Sequence, residues 1–187
     1  MTYDNKKKAG ALLFFASAQF LLILVVVEAL YPDYSVSQNY ISDLGVGPVS
    51  LPFNSSVFLL GITTVVGAYF LQRAFTYKVL FVFLILTGIG AMGVGLFPED
   101  IPVPHSIAAM VTFLFGGFSA IASSKLLKSP LSYFSVFLGV LSLVALVLFA
   151  TNVCLGLGPG GMERMVAYPT LLWGVGFGSA LMSYPDK

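Results

Sequence analysis

The sequence predicts an all-α fold: one membrane domain, residues 1–187, built as a bundle of six spanning helices with both termini on the cytoplasmic side. Three observations predict it. The chain is 58% hydrophobic and only 9% charged, with a mean hydropathy of +0.95, too apolar to give a globule of this length a polar surface. Its apolar residues fall into six long continuous runs, not the short alternating segments of an outer-membrane barrel. Its basic residues sort by connection, as a defined membrane orientation requires.

The first run, 9–30, follows Lys6, Lys7 and Lys8. It is about twice as long as the apolar core of a signal peptide, and no small-residue cleavage pattern follows, so it is expected to be a retained span. At 1.5 Å per residue it covers roughly 33 Å, enough for a hydrocarbon core of about 30 Å. Gln19 and Glu28 lie on it and are expected to face protein or the interface. The other spans are expected at 53–72, 79–97, 106–126, 131–155 and 165–184. Charge or helix-breaking residues separate them at 73–78, 98–104, 125–130 and 156–161.

In this arrangement Lys6, Lys7, Lys8, Arg73, Lys78, Lys125, Lys128 and Lys187 share one side and only Arg164 falls on the other. The positive-inside rule makes the first side cytoplasmic, in a multi-pass protein of the plasma membrane. The acids sort the opposite way: Glu28, Asp33, Asp43, Glu99, Asp100 and Glu163 lie at the outer ends, and only Asp4 and Asp186 lie inside. The inner connections are short and force neighbouring spans to be antiparallel. The outer connections therefore carry nearly all the potential chemistry.

Several classes are set aside. A net charge of +1 with scattered basic residues offers no face to nucleic acid. The lone Cys154 excludes an internal disulfide or a Cys-rich metal cluster, and is expected to be an apolar filler near a helix end. Gly88-Ile89-Gly90-Ala91-Met92-Gly93 matches a dinucleotide fingerprint only in its letters, because it lies inside an apolar span with no preceding strand. Like Gly174, Gly176 and Gly178, these glycines read as close helix packing. No cofactor or metal is expected.

Two outer stretches hold the candidates. Within the first, 37–45 reads as a short helix capped at Ser35 or Ser37 and stopped by Gly45, with Asn39 and Asp43 on one face. The second, 93–105, packs Glu99, Asp100 and three prolines ahead of His105, the only histidine. His105 reads as a helix-end residue bonded to a loop carbonyl, or as a ligand contact or general base; a metal site is weaker, since carboxylates would have to complete it. Glu163-Arg164 opens the last span, and Arg164 reads as an organiser of the outer carboxylates or as a bidentate phosphate contact. Asn54, Asn152 and Tyr168 lie near outer span ends, where interhelical hydrogen bonding is their default. The sequon at Asn54 is discounted because it sits where the second span enters the membrane. The ligand-binding candidates are thus Asn39, Asp43, Glu99, His105, Glu163, Arg164 and Tyr168.

The segments YISDLG at 40–45 and GLFPEDIPVPH at 95–105 resemble those of the prokaryotic six-span proteins grouped as domain of unknown function 998. More remotely they are similar to the Frag/DRAM/Sfk superfamily. The resemblance covers essentially the whole chain and implies a six-helix membrane bundle, with relatives implicated in lipid remodelling, lipid asymmetry or trafficking regulation. The positions it matches are Ile41, Ser42, Asp43 and Gly45, then Pro98, Asp100 and His105; it implies no catalytic roles.

Three functional readings follow. The first is an outward-facing polar pocket that binds or regulates lipid or another amphiphile. The second is a hydrolase or transferase on outer-leaflet lipids, with His105 as general base, Asp43 or Asp100 orienting it, and Arg164 contacting phosphate or oxyanion. The third is an accessory subunit of a membrane complex, or a homo-oligomer. A coupled transporter fits less well, since few charges lie near mid-membrane and no inverted repeat is clear.

Overall fold

The computed structural model describes residues 4–184, so Asp186 and Lys187 lie outside the described residues. Six long helices follow in order: α1 Asn5–Leu30, α2 Ser50–Phe75, α3 Lys78–Leu96, α4 Pro102–Ser123, α5 Leu131–Ala150 and α6 Gly158–Met182. All six are long and apolar enough to cross a membrane, and no strand occurs among the described residues.

The ends of the helices follow local chemistry more than hydropathy. Asp4 accepts the Lys7 N–H at 2.9 Å, so α1 begins ahead of its apolar run. Proline lies in the first turn of both α4 and α6, where its missing N–H costs no hydrogen bond. Several boundaries differ from expectation, α2 running from Ser50 to Phe75 and α4 starting at Pro102, and two differ most. The fifth helix stops at Ala150 because Asn152, Leu155 and Gly156 adopt positive φ and turn the chain back. The sixth begins at Gly158, not near 165, so Glu163 and Arg164 sit in its second turn and do not open it. Gly158 and Gly160 at its start are a contact surface, where a Cβ would overlap the Ser37 and Asn39 carbonyl oxygens, whereas Gly176, expected in a close seam, has open space beside it.

Sequential neighbours pack from α1 to α4, and α6 returns to α1 and also meets α4. The result is a ring of α1, α2, α3, α4 and α6, with α5 packed outside the joint between α4 and α6. Glycines set the close seams. A Cβ on Gly61 of α2 would meet the Gly88 carbonyl oxygen of α3 at 2.5 Å, and one on Gly178 of α6 would meet the Gly10 carbonyl oxygen of α1 at 2.6 Å.

Polar groups inside the bundle pair across helices. Gln19 donates to the Ser56 carbonyl at 3.1 Å and accepts from the Ser56 hydroxyl at 2.8 Å. The Trp173 indole donates to Ser123 Oγ at 2.8 Å, and Ser142 Oγ donates to the Val166 carbonyl at 2.7 Å. At the end that holds the basic residues, Lys6 lies over the Tyr184 ring, Lys8 over Phe70, Arg73 over Tyr69 and Lys125 over Tyr77. Their apolar stems cover the bundle while the charges stay at the rim, as at a membrane interface.

Candidate functional site: a lid over an internal chamber

Residues 31–49 connect α1 to α2 by folding back over the opposite end of the bundle as a lid. The single short helix expected over 37–45 is replaced by turns and a 3-10 helix at Ser42–Gly45. The reason lies in the carbonyls. Those of Val36 and Asn39 accept from Arg164, that of Ser37 accepts the Gly160 N–H at 3.0 Å, and the Tyr40 and Ile41 N–H groups that would bond Val36 and Ser37 in a helix donate to Asp43 and Glu163. Asn39 and Asp43 are brought together without that helix: Asn39 Nδ2 donates to Asp43 Oδ2 at 3.0 Å, and the Tyr40 N–H donates to the same oxygen at 2.9 Å.

Arg164 is the post to which the lid is tied. It is 5% exposed, and its guanidinium donates to Glu28 Oε1 through both Nε and Nη2, at 3.2 and 2.5 Å. Nη2 also donates to the Tyr34 hydroxyl at 2.6 Å, and Nη1 reaches the carbonyls of Val36, Asn39 and Gly160 at 2.9, 3.2 and 2.9 Å. The Tyr34 hydroxyl in turn donates to the Tyr40 carbonyl at 2.8 Å; burial pushes its pKa up to about 12, against the pull of Arg164. All three guanidinium nitrogens are thus engaged within the protein. Tyr168 stands beside Arg164 and Glu28, away from the chamber below.

Beneath the lid a cavity runs between α1, α2, α3, α4 and α6, with no wall from α5. It gives the centre of a water molecule about 110 Å³ to move in. It extends from His105 and Glu163 at the lid to Gly116 and Gly174 inside, roughly 16 Å at 1.5 Å per residue. Phe20, Phe53, Leu84, Phe113, Leu171 and Trp173 are among its walls.

Its polar end is built from three elements. Glu163 of α6 is 6% exposed, and its Oε2 accepts the Ile41 N–H of the lid at 2.5 Å. His105 of α4 is 8% exposed, and its Nδ1 lies 2.8 Å from the Phe97 carbonyl oxygen. A carbonyl can only accept, so Nδ1 carries the proton, and Nε2 has no hydrogen-bond partner among the described residues. Ser42 of the lid completes the rim. Behind it Glu99 lies against Ser42 and Asp43, within electrostatic reach of His105. Burial raises the Glu99 pKa and Asp43 adds to the rise, while Ser42 and His105 act against it.

The candidates therefore divide. Glu163 and His105 line the chamber, Glu99 and Asp43 back its rim, and Asn39 positions Asp43. Arg164 and Tyr168 belong to the lid anchor and do not line the cavity. Asp100 is exposed and makes no hydrogen bond or ion pair with the cluster among the described residues. Asn54 donates to the Gly45 carbonyl at 2.9 Å, and Asn152 is exposed in the α5–α6 turn; neither lines the cavity. Sequence reasoning misses Tyr34 and the pairing of Glu28 with Arg164. A lone arginine and a carboxylate near the same end of two apolar spans is the available signal. No three His, Cys, Asp or Glu side chains among the described residues are placed to hold a metal ion.

Compared with known proteins, residues 14–180 match the family model described as "Protein of unknown function (DUF998)". No curated protein and no solved structure matches the chain.

Proposed function

The chain belongs to the DUF998 family, whose description names no activity, and on that premise we propose that this multi-pass membrane protein binds a single-chain amphiphile in its central chamber. The observation that carries the reading is the chamber itself: an apolar bore closed by a polar rim under an anchored lid. Its length of roughly 16 Å is about half of a hydrocarbon core of about 30 Å, the depth of one leaflet. In this reading the hydrocarbon chain lies in the bore and the head at Glu163, His105 and Ser42. The sorting of basic residues supports a lid on the outer face of the plasma membrane.

The test is native mass spectrometry of protein released gently from its own membrane. The wild type is expected to carry a bound adduct that is lost when Ala109→Phe fills the bore and retained when Ile107→Phe alters the exposed outer surface of the same helix. Bare wild-type protein would overturn the reading.

One observation favours a second reading, a hydrolase or transferase acting on outer-leaflet lipid. The free Nε2 of His105 lies on the rim with Glu163, and Nδ1 is held by the Phe97 carbonyl, which leaves Nε2 as a proton acceptor facing the head of a bound lipid. In that reading Arg164, turned away from the chamber, anchors the lid, and another donor has to meet the oxyanion. Product formation from the bound lipid by wild type, abolished in His105→Gln, would favour it over simple binding.

A further inference from the structure

The rim of the chamber is unbalanced in charge. Glu163 and His105, each more than nine-tenths buried, present a carboxylate oxygen and an imidazole Nε2 with no protein donor against them. Asp43 and Glu99 stand directly behind. Among the described residues the one basic side chain at this end, Arg164, faces the lid with its nitrogens engaged. Such a rim is rich in acceptors, and a carboxylate or phosphate head placed there would meet like charge in a poorly solvated site without a counterion.

Resting on the chamber as a binding site, we propose that it selects amphiphiles with a hydrogen-bond-donating, cationic head, of which a long-chain amine is the simplest. An ammonium offers three donors to Glu163, His105 and Ser42, and its charge offsets the carboxylates. The hydrocarbon tail then fills the bore toward Trp173, at its far end.

Trp173 is the only tryptophan in the chain, so its fluorescence reports directly on the end of the bore. Protein in nanodiscs of zwitterionic lipid is titrated at neutral pH with terminally brominated dodecylamine, dodecanol, dodecanoate and dodecyl phosphate, each corrected for its membrane partition. The amine is expected to quench Trp173 at concentrations at least roughly tenfold lower than the carboxylate or phosphate, with the alcohol between, since a charge-assisted bond contributes more than a neutral one. Glu163→Gln is expected to bring the amine close to the alcohol; if that variant also loses the alcohol, its chamber has collapsed and the wild-type ranking decides alone. Quenching by carboxylate or phosphate as strong as by the amine overturns the head selectivity and leaves the chamber standing. Absence of quenching by all four, or quenching that persists in Ala109→Phe, overturns the chamber as a binding site.

Discussion

Arg164 of α6 meets Glu28 of α1 at 2.5 Å, and the same guanidinium holds the lid carbonyls of Val36 and Asn39. One side chain thus ties α6 to α1 and holds the lid to both. Removing one partner of a buried ion pair leaves the other charge uncompensated, so Arg164→Ala is expected to lose about 3–5 kcal/mol of stability. Glu28→Gln keeps the lid bonds and is expected to lose less. Arg164→Lys retains the charge without the planar fork and is expected to fall well short of wild type. Unfolding midpoints in one fixed detergent decide it, and a lysine variant as stable as wild type would refute the anchoring role.

Gly160 lets the lid lie against α6, since its missing Cβ is the space the Asn39 carbonyl occupies. Gly160→Ala is expected to push the lid off and raise hydrogen exchange at the amides of Asn39 and Ile41. Gly176 lies on the same helix, and a methyl group added there would have nothing within 4 Å. Gly176→Ala is expected to be neutral or to stabilise by up to about 1 kcal/mol through helix propensity. Equal exchange in the two variants would remove Gly160 from the account.

Glu99 makes the cluster at the lid end pH-sensitive. Its folded pKa is raised, by burial first and then by Asp43, so between its ordinary and its raised value the folded chain binds more protons than the unfolded one. Stability is therefore expected to fall as pH rises from the ordinary carboxylate range through the raised pKa, and to level off above it. Glu99→Gln should flatten that part of the profile. A profile that rises with pH over this window, or one unchanged by the substitution, would contradict the assignment.

What can be read ahead of the structure follows from the range of the interactions. Hydropathy and charge sorting are properties of contiguous residues, so the six spans, the antiparallel order and the placing of Gln19 and Glu28 toward protein or the interface are legible from the chain. The Asn39–Asp43 bond spans only four residues, yet the helix from which their shared face is read does not form. The ion pair between Arg164 and Glu28 spans 136 residues, and no local pattern names its partner. The start of α6 is hidden because a glycine-proline run reads as a break, whereas here Gly158 and Gly160 are needed for contacts with the lid. The chamber is invisible for a similar reason: it is the space left when five helices keep the α4–α6 joint apart, and α5 covers that joint from outside.

The single cysteine gives the orientation a direct test. Cys154 lies partly exposed in the turn between α5 and α6, at the lid end of the bundle. Lys125, which lies over Tyr77, is at the opposite end. If the basic end faces the cytoplasm, a membrane-impermeant maleimide added to intact cells is expected to label wild-type protein at Cys154. A Cys154→Ser variant should be blank, and adding Lys125→Cys to it should restore labelling only after permeabilisation. The reverse pattern would turn the lid and the chamber rim toward the cytoplasm. The amphiphile would then have to come from the inner leaflet, whatever its head group.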